Sequence, residues 1–129
     1  MKRTWLSRDI AAPGPHLTLC LSEEQYHKAL ADCQEPAVAA WITTPQANAT
    51  CHYITNASGL ICIVCLRQGD RRDGVQIAGL LVHEAVHIWQ NYAEYIGEEH
   101  PAREQEAYAI QSISQELMAA FAVQTGLRK

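Results

Sequence analysis

Apolar residues along the chain gather in short runs separated by polar stretches rich in Pro, Asn, Asp and Gly, and their period lengthens towards the C-terminal half. HLTLCL, residues 16–21, alternates weakly and predicts a first strand. AVAAWITT, residues 37–44, closed by Thr44-Pro45, predicts a second. CHYI (51–54) and LICIVCL (60–66) flank Thr55-Asn56-Ala57-Ser58-Gly59, a hairpin signal in which a glycine supplies the positive φ. Between the first two runs, Ser22-Glu23-Glu24-Gln25 reads as a capping box that opens a helix to about Asp32, stopped by Glu35-Pro36. After the polar loop GDRRDG (69–74), with Asp73 as N-cap, the helical period takes over. One long helix is predicted from about Val75 and another from about Pro101 to Gln124, with Pro101 suited to the first turn and Gly126 to the end. The order strand, helix, strands, helix, helix defines an α+β domain over residues 1–129: a small, mostly antiparallel sheet packed on two long helices, with residues 1–15 as an irregular arm.

Composition narrows the function classes. A chain of 129 residues has room for one core and no second lobe. Hydrophobic residues at 48% and charged ones at 19% describe a globular protein, not a disordered one. The formal charge is −4 and no basic stripe is present, so nucleic acid is not an expected partner; Lys2-Arg3 and Arg71-Arg72 read as solvated surface. Lys2 and Arg3 begin as a signal peptide would, but Arg8, Asp9, Pro13 and Pro15 then stand where its apolar region belongs. No apolar run approaches the roughly twenty residues that span a bilayer, and the expectation is a cytoplasmic protein without a membrane partner. Asn48-Ala49-Thr50 and Asn56-Ala57-Ser58 then read as turn chemistry. Five cysteines, an odd count, predict reduced thiols. Cys62-x-x-Cys65 lies within a predicted strand, where positions three apart face opposite sides and cannot chelate one ion.

The chemistry concentrates in LLVHEAVHIWQ, residues 80–90. His83 and His87 are four apart, on one helix face, and can aim both imidazoles at one ion. Glu84 is turned about 100° from His83, beside that ion, where a general base for water belongs. The bland alternative is a pair of core histidines satisfied by hydrogen bonds. Against it, the sector of His83 and His87 also holds Gln76, Gly79, Leu80, Gln90 and Glu94, a narrow and mostly polar stripe on a helix otherwise apolar. Gly79, one turn before His83, costs about 1 kcal/mol relative to Ala and suggests a close approach on that face. The stripe favours a metal site.

Two histidines leave a tetrahedral zinc short of a protein ligand. A metzincin pattern would need Gly and His where Gln90 and Ala93 stand, which excludes that class and leaves Glu98, Glu99, His100, Glu104 and Glu106. HEAVHIWQ followed by EQEAYAI resembles small bacterial and phage zincin-like proteins, of the glu-zincin metallopeptidase type with HExxH and a later ExxA, over about residues 75–115. The resemblance implies a minimal zincin-like fold, one zinc per chain held by His83, His87 and Glu104, and Ala107 packed against the first helix. Tyr108 departs from it, standing where such families often carry Asn or Asp. The residues read alone point partly elsewhere: Glu106 shares the apolar face of Ala109, Ile113 and Leu117, while Glu104 shares a face with Tyr108, Gln111 and Gln115. Glu106 stays as the alternative third ligand. A helix unbroken to Gly97 would place the turn about 15 Å beyond His87 and leave Glu104 out of reach, favouring His100. The site therefore predicts an end or bend near Tyr92–Tyr95, with AEYIGEEHPA (93–102) a loop folding back.

The function implied is a zinc metallopeptidase acting on a peptide or protein substrate, with Glu84 taking a proton from the attacking water and handing it to the leaving amine. The run LICIVCL is expected to pair with an extended substrate by strand addition. Tyr92, Tyr95, His100 and Tyr108 are candidates to stabilise the oxyanion. Two alternatives remain: a zincin-fold protein that binds metal as a structural or partner-binding module without proteolysis, and a metal-free α+β domain. His16, His27 and His52 have no partner at ligand spacing and read as surface or satisfied core residues.

Overall fold

The computed structural model describes residues 5–6, 14–37, 39–68 and 73–128. Its elements run β1 (His16–Cys20), α1 (Glu23–Asp32), β2 (Ala49–Asn56), β3 (Gly59–Leu66), α2 (Gly74–Tyr95) and α3 (Arg103–Gln124). The chain is α+β, as the alternation of periods predicts. The sheet order is β1-β3-β2. β2 and β3 pair antiparallel from Ala49↔Leu66 to Asn56↔Gly59, and β1 joins the other edge of β3 in parallel, from His16↔Ile61 to Cys20↔Cys65.

Period-two alternation gives the sheet two buried faces. Leu17, Leu19, Cys62, Val64 and Leu66 pack with Leu81, Ile88, Trp89, Ile113 and Leu117 of α2 and α3. Cys20, Ile61, Ile63 and Cys65 pack with Tyr26, Ala29 and Leu30 of α1 and with Ile42. β3 is therefore apolar at every position from Leu60 to Leu66, as a central strand covered on both sides must be.

The local signals resolve into contacts. Ser22 Oγ accepts the Gln25 amide at 3.2 Å, and Gln25 Oε1 reaches back to the Leu21 amide at 2.7 Å. Asp73 closes a full capping box with Gln76: its Oδ1 accepts the Gln76 amide at 2.8 Å, and Gln76 Oε1 accepts the Asp73 amide at 3.0 Å. Asp73→Ala is expected to cost about 1 kcal/mol, read as a lower urea midpoint at unchanged slope. In the hairpin, Asn56 Oδ1 accepts the Ser58 amide at 2.8 Å and Gly59 adopts φ +113°. Only glycine takes that backbone without strain.

Two sequence expectations need revision or fall outside the structure. Residues 37–44 form no strand, residue 38 lying outside the described residues. The stretch is instead pinned across the α1 face of the sheet: Tyr26 Oη donates to the Ala39 carbonyl at 3.0 Å, His52 Nε2 meets the Trp41 carbonyl at 3.0 Å, and the Thr43 amide donates to Thr50 Oγ1 at 3.2 Å. Its apolar residues Trp41 and Ile42 cover core there, which explains the strand-like composition without a ladder. Most of the 1–15 arm lies outside the described residues, but Trp5 bridges Thr18 and the Leu6 amide donates to the Leu17 carbonyl at 2.9 Å, beside β1.

Candidate metal centre

α2 carries His83, Glu84 and His87, and its packing decides where each points. The stripe read from the sequence is the solvent face: Gln76, Gly79, His83, His87, Gln90 and Glu94 are all exposed, while Leu81, Ala85, Ile88 and Tyr92 are buried. Water thus accounts for the stripe's polarity, and the argument that a buried helix needs a metal to explain it does not hold. Nor, among the described residues, does any neighbour approach Gly79, where an added Cβ would meet nothing within 4 Å.

The two imidazoles stand edge to face with ring centroids 4.7 Å apart and planes at 76°. His87 Nδ1 lies 3.0 Å from Gln90 Oε1, which accepts its proton if the ring carries it there and leaves Nε2 as the free donor for an ion. Asn91 Nδ2 donates to the His87 carbonyl at 2.8 Å, tying the same turn together.

Glu84 is the unexpected member. It is 8% exposed, one residue from an exposed histidine, because it stands three residues after Leu81 and four before Ile88 on the buried side. No hydrogen bond reaches its carboxylate among the described residues. Burial raises its pKa above the ordinary carboxylate value, and the charges of His83 and His87 pull it back down. Opposite it stands β2, whose Cys51 and Tyr53 both feel its charge. Burial, with smaller contributions from Cys51, Cys62 and Glu84, holds the Tyr53 phenol far above its ordinary value. Its Oη is buried without a hydrogen-bond partner among the described residues. Tyr53 was not among the sequence candidates. Its signal was available, since period two places it with Cys51 on the face of β2 that meets the long helix.

The third-ligand candidates fall elsewhere. α2 ends at Tyr95, the edge of the window the site demanded, with Gly97 at φ +77° and the Glu98 amide on the Ala93 carbonyl at 2.8 Å. Of AEYIGEEHPA the first three residues are helical, and 96–102 lead into α3. Glu106 faces α2, its Oε2 accepting Trp89 Nε1 at 2.8 Å. At about 100° per residue, Trp89 projects from α2 roughly 160° away from His87. Glu104 and His100 are exposed, the His100 amide lying 3.3 Å from Glu98 Oε1. The structure thus groups His83, Glu84 and His87, and no set of three His, Cys, Asp or Glu suited to a metal ion is assembled among the described residues.

Other sequence candidates separate cleanly. Tyr92 is buried in the core at 4% exposure, while Tyr95 and Tyr108 are exposed. LICIVCL cannot receive a substrate strand, because β3 is the central strand with both edges paired. Strand order was the missing information: the hairpin is legible in sequence, but the parallel docking of β1 on the far side of β3 is not. His16 meets the Ser58 carbonyl at 2.9 Å, His27 lies 3.8 Å from Glu23, and His52 stacks on Tyr26 at 4.6 Å, as surface and satisfied core residues do.

Comparison with protein-family models, curated proteins and solved structures finds no match to this chain. Among the described residues no helix is long and apolar enough to cross a membrane.

Proposed function

We propose that the protein is a zinc-dependent metallopeptidase of minimal zincin-like fold, with His83 and His87 as ligands, a carboxylate from the first turn of α3 (Glu104, or Glu106 as the alternative) as the third, and Glu84 as general base. One observation carries the reading: Glu84 is a largely buried carboxyl whose pKa burial raises, set beside an exposed histidine pair. A carboxyl shifted by burial next to two imidazoles on one helix is a mark of function more than of packing. A site that only held metal would have no use for it.

The donor chemistry suits zinc in part. Two imidazoles from one face fill two positions, and the start of α3 supplies the carboxylate only if it swings from the Trp89 side of α2 towards the histidines. Zinc bound there would supply a Lewis acid that makes water acidic near neutral pH. Glu84, kept basic enough by burial, accepts the proton from the attacking water and passes it to the departing amine. Gln90 orients His87 through Nδ1.

An extended substrate would lie along the outer edge of β2, which takes the role the sequence reading gave to β3. β2 reads ATCHYITN, without charge or proline, and no backbone group bonds to its outer side among the described residues. An edge of that composition is open to strand addition.

A second reading, a metal-binding module without proteolysis, is favoured by the engagement of Glu106 with Trp89. Incubating the zinc-loaded protein with a peptide library, with fragments identified by mass spectrometry, separates the two. Cleavage by wild type that disappears in Glu84→Gln, zinc retained, supports the peptidase. Bound zinc without any cleavage turns the account to the second reading.

A further inference from the structure

Four of the five cysteines meet across strands. Cys62 and Cys65, three apart on β3, face opposite sides of the sheet as their spacing requires. Cys62 contacts Cys51 of β2 on the α2 face, and Cys65 contacts Cys20 of β1 on the α1 face. The second pair differs from the first in two ways. Cys20 and Cys65 are direct register partners, and adjacent strands about 4.8 Å apart fall inside the Cα separation of about 4.4–6.8 Å that a disulfide accepts. Cys20 also lines a cavity of about 590 Å³ between α1, α3 and the outer side of β1, walled by Leu6, Leu19, Ala29, Ala120 and Val123.

We propose that Cys20 and Cys65 form a reactive dithiol at the floor of this cavity, oxidised to an intramolecular disulfide by small-molecule disulfides that enter it. The proposal goes beyond the peptidase reading and is independent of the histidines of α2. Cys20 is 2% exposed and Cys65 fully buried, so the cavity supplies the route to the first and the first supplies the route to the second. Hydrogen bonding to Cys20 and burial hold the Cys65 thiol far above its ordinary pKa.

The exchange balances. Cys20 gives its proton to water as its sulfur attacks one sulfur of the reagent, releasing one thiolate and leaving a mixed disulfide. The released thiolate takes the Cys65 proton, and Cys65 sulfur then displaces the second half of the reagent. Two protein thiols are oxidised to one disulfide, and one reagent disulfide is reduced to two thiols. The product ties β1 covalently to β3. Cys33 provides an internal contrast: it is half-buried, pairs with no other cysteine, and burial together with Asp32 and Glu35 raises its pKa.

The test exposes the folded protein to a small neutral aromatic disulfide, alkylates the remaining thiols in urea and maps all five cysteines by mass spectrometry. The expected result is a Cys20–Cys65 linked peptide pair, lighter by two hydrogens and free of reagent. In Cys65→Ala, Cys20 instead retains half of the reagent as a stable adduct, because nothing resolves it. Wild-type mapping decides alone if that variant does not fold. Finding Cys20 and Cys65 both alkylated in wild type after an exposure that links them in urea would overturn the proposal, as would an adduct confined to Cys33 or Cys51 in a folded Cys65→Ala.

Discussion

Replacing Glu84 by glutamine is expected to lower peptide hydrolysis by about 10²- to 10⁴-fold while zinc stays bound, the loss typical of removing a positioned general base. The amide keeps the shape of the carboxylate and cannot accept the proton. The same substitution reports on the metal-free fold. Glu84 is buried beside Cys51 and Tyr53 of β2, with the imidazoles of His83 and His87 near it, and its pKa is raised. A carboxyl whose folded pKa lies above its unfolded value contributes stability that is complete below the unfolded value and is lost as pH rises through the folded one. Metal-free wild type should therefore lose stability as pH climbs from the ordinary carboxylate range through the raised pKa of Glu84. Glu84→Gln should lack that part of the slope. Urea midpoints at a series of pH values, with chelator present, make the comparison; parallel profiles for the two proteins would show that Glu84 is not a buried carboxyl at all.

Ile63→Ala is expected to cost about 2–5 kcal/mol of unfolding free energy, a large share of the 5–15 kcal/mol that a domain of this kind typically has. Ile63 is fully buried on the central strand, paired with Thr18 of β1 and His52 of β2, and packs into the cluster of Tyr26, Leu30 and Ile42 under α1. Truncation removes its transfer energy and leaves a cavity walled by both strands and helix, where relaxation is small. Because Ile63 faces α1 and the histidines ride on α2, zinc content should not change while the protein remains folded. Tyr108→Ala, on a residue 65% exposed, should stay within about 0.5 kcal/mol of wild type. Equal losses in the two variants would contradict the position of the core.

What was legible in the sequence was local. Asp73 as N-cap, Ser22 with Gln25 and the turn closing at Gly59 are short-range devices whose partners lie within four residues, and all three form. The faces of α2 were legible too, and arithmetic would have buried Glu84, since Leu81 and Ile88 lie three before and four after it. Non-local facts were not. The order β1-β3-β2 depends on where β1 docks, which removed LICIVCL from the sheet edge. Residues 37–44 have strand composition because Ile42 covers the sheet, not because the run pairs with it. The polarity around His83 has an ordinary cause in solvent, which composition alone could not separate from a metal's demand. The proposed third ligand is the hardest case, for it depends on the crossing of α2 and α3 and on the path of 96–102 between them. Trp89 Nε1 donates to Glu106 at 2.8 Å across that crossing, a contact that the spacing of the glutamates does not reveal.

Zinc per chain by elemental analysis, on wild type beside His83→Ala, Glu104→Ala and Glu106→Ala, tests the central claim most directly. The account predicts near one zinc in wild type, none in His83→Ala, and loss in only one of the two glutamate variants. No zinc in wild type after loading would contradict it, and would return HEAVH to a helix with two solvated histidines.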